Sequence, residues 1–130
     1  MSHKEPMIRV RFAICSLIIA LAAAPAMAGE VDVVDVRAVE ASNRSWTFQV
    51  TLRHADEGWD HYADAWEILD DKGVVLGIRK LLHPHVDEQP FTRSLSDVVI
   101  PDNVRMVTVR GHDSVHGYGG AEMQVVLPGR

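Results

Sequence analysis

The chain has almost no cysteine. A single residue among 130, Cys15, falls within the first 28. Beyond that point disulfides, thiolate chemistry, cysteine-ligated zinc and iron–sulfur clusters are all excluded. Basic charge is also short, with 13 lysines and arginines against 18 aspartates and glutamates. An acidic chain without a basic stripe is a poor partner for nucleic acid or an anionic membrane surface. The one long apolar run, residues 12–24, is too short for a good membrane span. Repeats, charge blocks, phosphate loops and dinucleotide fingerprints are absent from the sequence.

The first 28 residues have a different character from the rest. Lys4, Arg9 and Arg11 precede the apolar run, and Pro25-Ala26-Met27-Ala28 follows it. A charged start, an apolar centre and a small-x-small end predict a secretory signal peptide over residues 1–28. A lipid anchor is not expected, because Cys15 sits near the start of the apolar run rather than at its end. Removing the leader takes Lys4, Arg9, Arg11, Glu5 and His3 with it. Of the 130 residues 102 remain, with 10 basic and 17 acidic side chains, a formal charge of −7 and six histidines. That size suits one domain, residues 29–130, with a single core and no membrane span. The predicted location is the periplasm or the exterior.

The remainder reads as a row of strands. Residues 45–53 alternate cleanly, with Trp46, Phe48, Val50 and Leu52 on one face. Residues 31–40 alternate with a slip between Val33 and Val34, which predicts a bulge. Residues 61–69 suit a strand or a helix by period. A strand is preferred because Asp70-Asp71-Lys72-Gly73 then makes a hairpin turn into residues 74–82. Residues 91–98, 104–112 and 121–127 complete seven strands. The predicted fold is all-β, an antiparallel sandwich with a core around Trp46, Phe48, Trp66, Val107 and Val109. A small barrel, or an α+β fold with residues 61–69 helical, are the alternatives.

Residues 107–119, Val-Thr-Val-Arg-Gly-His-Asp-Ser-Val-His-Gly-Tyr-Gly, resemble the penultimate strand and following loop of fibronectin type III domains. The resemblance implies an immunoglobulin-like sandwich and no particular activity. The chain also resembles a type of small exported bacterial protein, which supplies no functional residues.

The six histidines carry the chemistry that remains. With alternating strand direction, His54 ends the second strand, His61 starts the third and His83 and His85 follow the fourth. His112 ends the sixth and His116 lies in the next loop. All six then fall at one pole. Face parity, with Trp66, Ile68, Val107 and Val109 inward, predicts that His61, His83 and His112 point outward side by side. Three imidazoles on adjacent strands suit copper, zinc or nickel, with copper or zinc preferred. His85, His116, Asp56, Asp60, Asp87, Glu88 and Asp113 are near enough in sequence to complete a shell. The same pole offers Trp59, Tyr62 and Tyr118 for a ligand, a glycan or a periplasmic protein partner. Two functional readings stay open: an exported module binding a transition metal, and a metal-free interaction domain. No catalytic motif is found, and an enzyme is not expected.

Overall fold

A computed structural model describes residues 29–130; the predicted leader lies outside the described residues. Among these residues no helix forms, and no helix is long and apolar enough to cross a membrane. Seven strands form: β1 (Asp32–Glu40), β2 (Trp46–Arg53), β3 (Ala63–Leu69), β4 (Val75–Lys80), β5 (Phe91–Val98), β6 (Met106–Asp113) and β7 (Met123–Val126). They make two antiparallel sheets, one in the order β1-β2-β5 and the other β4-β3-β6-β7. The predicted all-β sandwich is therefore present, and residues 63–69 are strand rather than helix.

The core follows from period-2 burial. Trp46, Phe48, Val50 and Leu52 alternate inward along β2 and meet Trp66 and Ile68 of β3 and Val107 and Val109 of β6. These positions bury large apolar side chains from both sheets, the main favourable term in a fold without covalent cross-links. The predicted slip in β1 is a register shift between Val33 and Asp35.

A second irregularity sets up the candidate site. The β3–β6 register shifts between Ala63 and Ala65. A one-residue slip exchanges the two faces of a strand. Trp66 and Ile68 point inward as parity requires, but upstream of the slip Ala63 is also inward and His61 is buried. On β6 parity runs unbroken, so Val107, Val109, Gly111 and Asp113 face inward and His112 faces out. The slip thus delivers His61 to the same side as Asp113.

Candidate functional site

Three polar side chains meet at the end of the core. His54 follows β2, His61 precedes β3 and Asp113 closes β6. One ligand-capable atom from each lies within 4.8 Å of the others, and all three residues are buried. The shared atom is Asp113 Oδ2, 2.5 Å from His54 Nε2 and 2.7 Å from His61 Nε2. The two imidazole rings meet edge-on, with centroids 5.0 Å apart.

The outer nitrogens of both rings face carboxylates. His54 Nδ1 donates to Asp56 Oδ1 at 2.5 Å. His61 Nδ1 lies 3.2 Å from Glu57 Oε2. A carboxylate on one ring nitrogen orients an imidazole, as it does for metal-ligating histidines. His61 Nε2 also donates to Asp113 Oδ2, so that ring must give up a proton before it can ligate an ion. Asp56 is itself held rigidly, accepting from the backbone N–H of Ala63 at 3.0 Å and of His85 at 2.7 Å. Asp113 Oδ1 accepts from the N–H groups of Val115 (2.8 Å) and His116 (2.7 Å), which leaves Oδ2 to face the rings.

His54 Nε2 is the anomalous atom. It sits 2.5 Å from Asp113 Oδ2, yet the pair lacks hydrogen-bond geometry, and Nε2 is buried without a partner. Proximity here is not satisfaction, because the direction of approach is wrong for an N–H to bridge the two atoms. With Nδ1 against Asp56, Nε2 is turned on a second carboxylate without the geometry to bond it. Buried polar atoms are rarely left so. Two acceptors so placed could share a cation, a proton included.

Charge settles around the site accordingly. Burial works against a charged His61, but the hydrogen bonds to Glu57 and then Asp113 outweigh it and hold its pKa above the usual value. Burial likewise opposes ionised Asp113, and the N–H groups of His116 and Val115, with His61, overcome it and hold the carboxyl below its usual value. The site carboxylate is thus ionised and available as an anionic oxygen ligand.

The other predicted residues lie around this centre rather than in it. His116 is at the rim, with Nδ1 3.1 Å from Asp113 Oδ1 and its ring centroid 5.1 Å from that of His61. His85 lies behind Asp56. Its ring stacks on Phe91 at 4.0 Å, and its Nε2 accepts from Arg93 at 2.8 Å. Burial first, then the positive charge of Arg93, lowers its pKa. His83 packs on His85 with centroids 4.5 Å apart and faces solvent. His112 turns to the outer face, with Nδ1 donating to Asp64 Oδ1 at 2.5 Å. The predicted outward row of His61, His83 and His112 therefore does not form, because the slip in β3 turns His61 inward. Asp56 and Asp113 appear in the sequence only among several acids able to complete a shell. Their signals were the His54-x-Asp56 spacing and the parity of Asp113 with Val107 and Val109.

The aromatic residues lie outside the buried cluster. Trp59 is 67% exposed and meets Tyr62 edge-on at 5.7 Å. Tyr118 stacks under Arg110, whose Cζ is 3.8 Å from the ring centroid. Burial, then a hydrogen bond with Glu67, raises the pKa of the Tyr118 hydroxyl. Tyr62, Asp64, Lys80, Leu82, His112 and Tyr118 help line an open groove of about 480 Å³ on the outer face of the four-stranded sheet.

Comparison with known proteins finds similarity to a protein of Halomicrobium mukohataei named "Putative lipoprotein". The two are 48% identical over 96 residues, which are 74% of this chain and 47% of that protein. The chain spans about half the length of this curated relative. No family model matches the chain, and no solved structure matches it.

Proposed function

We propose that this is an exported β-sandwich module that holds one transition-metal ion at His54 Nε2, His61 Nε2 and Asp113 Oδ2, with His116 at the rim. The observation that carries the reading is the buried, unpartnered Nε2 of His54, aimed into a cluster whose outer nitrogens face Asp56 and Glu57. Two imidazoles and a carboxylate, with no sulfur, suit zinc or copper(II). Tetrahedral zinc with bonds near 2.0–2.1 Å sets its ligand atoms about 3.3 Å apart. The two histidine–aspartate distances, 2.5 and 2.7 Å, would each open by less than about 1 Å on binding, within the reach of a side-chain adjustment. Export is supported by the leader pattern and by the relative's name, a lipoprotein. Kinship with fibronectin type III domains is supported by the division into three and four strands and by the placement of β4, β3 and β6 side by side.

The test is a titration of the exported protein with zinc(II) and copper(II) at pH 7.5, followed by calorimetry. The reading expects about one equivalent bound with submicromolar Kd, and a loss of at least tenfold in His54→Ala. Binding weaker than micromolar for both ions would remove it.

The outer groove favours a second reading, a metal-free interaction domain that contacts a protein or glycan through Trp59, Tyr62 and Tyr118. Exposed Trp59 beside the groove supports it. Retention on a glycan array that is lost in Trp59→Ala and unaffected by chelator would select this reading over the first.

A further inference from the structure

The segment that opens the described chain packs against His116 at the rim of the candidate site. Gly29 is buried, and a Cβ placed on it would stand 3.4 Å from both Cε1 and Nδ1 of His116. The next residues are locked in place by glycines of the opposite wall. A Cβ on Gly111 would come within 2.3 Å of Val31 Cγ1, one on Gly120 within 1.9 Å of Val31 O, and one on Gly119 within 2.8 Å of Glu30 Oε1. Two backbone-directed bonds continue the attachment: Val33 N–H donates to Ala121 O, and Ala121 N–H donates to Asp32 Oδ1, each at 2.8 Å. Domain termini ordinarily fray unless tied down. This one is tied down beside His116, whose Nδ1 is 3.1 Å from Asp113 Oδ1.

Sequence adds the second half. Ala26-Met27-Ala28 predicts cleavage of the Ala28–Gly29 bond. In that hydrolysis a membrane signal peptidase adds water across the peptide bond, leaving a carboxyl group on Ala28 and a free α-amine on Gly29. An unprotonated α-amine is a nitrogen donor of the same kind as imidazole.

We propose that the α-amine of Gly29, freed by this cleavage, joins His116 in completing the shell of the ion held by His54, His61 and Asp113. The inference rests on the metal reading above and adds to it a processing step. The site is then finished only after export. Up to four nitrogens and one oxygen surround the ion, a set that favours copper(II) over zinc(II). Gly29 lies in van der Waals reach of the His116 ring, which places its amine at the rim of the cluster.

The experiment uses the full chain, expressed with its own leader in a bacterium and recovered from the periplasm. Intact mass identifies the first residue. A second version carries one serine inserted between Ala28 and Gly29, which displaces the amine but leaves every residue of the buried cluster in place. Copper(II) affinity and electron paramagnetic resonance are measured for both, with circular dichroism as the check on folding. The expected result is a chain starting at Gly29, at least tenfold weaker copper binding in the serine-extended protein, and one fewer coupled nitrogen in its spectrum. Equal affinity and spectra would overturn the inference and leave the metal reading standing. So would an exported chain that retains residues before Gly29. Failure of both proteins to bind copper would overturn both.

Discussion

Replacing Asp56 by asparagine tests the polar architecture beneath the site. The carboxylate makes three buried contacts: Oδ1 accepts from His54 Nδ1 and Ala63 N, and Oδ2 from His85 N. An asparagine of the same shape keeps one oxygen. If it stays toward Ala63 and His54, the new NH₂ group faces the His85 N–H, donor against donor. One buried donor left unpaired costs about 1–3 kcal/mol, and weakening the charge-assisted bond to His54 about 1 kcal/mol more. A total near 3 kcal/mol corresponds to a fall in Tm of about 12–24 °C for a domain of this size. A native stability of about 5–15 kcal/mol leaves the variant folded at room temperature. Separately, losing the carboxylate that orients a ligating imidazole weakens metal binding about 10–100-fold. Differential scanning calorimetry of the metal-free Asp56→Asn protein reads the first effect, and zinc titration at 20 °C reads the second. A Tm within about 3 °C of the parent protein would refute the structural account of Asp56. A normal Tm drop with unchanged zinc affinity would refute its orienting role.

Further outcomes follow from packing and charge. Gly111→Ala should cost about 1–3 kcal/mol in urea unfolding, because the added methyl meets Val31 Cγ1 at 2.3 Å and Val31 Cβ at 2.8 Å. Arg110→Ala should cost about 3 kcal/mol, since it strips buried Glu67 of contacts from Nε at 2.6 Å and Nη2 at 2.5 Å. Arg44→Ala, which breaks an exposed pair with Asp102, should leave Tm unchanged. His85 has a pKa lowered in the fold, so the unfolded chain binds more protons as pH falls below about 6.5. Its stabilising contribution is present above that pH and lost on acidification. The Tm advantage of the parent over His85→Leu should therefore shrink between pH 7.5 and 5.5.

Fold was more legible than site, for a reason visible in single residues. Strand β2 announces itself through Trp46, Phe48, Val50 and Leu52, since half-buried strands write their faces into every second position. The turn at Asp70-Asp71-Lys72-Gly73 decided between strand and helix for the segment before it. The site depended on one register slip between Ala63 and Ala65, and no composition signal marks it. Counting parity back from Trp66 put His61 on the wrong face. Counting along β6 from Val107 placed His112 correctly outward; the strand runs one residue past the expected end, and that extra step is what turns Asp113 inward. Glu57 is not among the acids the sequence singled out, because nothing in its spacing ties it to His61.

The cluster also answers the scarcity of cysteine. His54 hangs from the three-stranded sheet, while His61 and Asp113 belong to the four-stranded one, and the two sheets share no backbone ladder. On the proposed metal reading, an ion shared by these side chains would tie the layers together, as an inter-sheet disulfide does in other sandwiches. It differs from a disulfide in needing no oxidant and in being removable by a chelator. Layer separation, and so the speed at which the domain yields to protease or to mechanical pull, would then be something the surrounding metal supply could set.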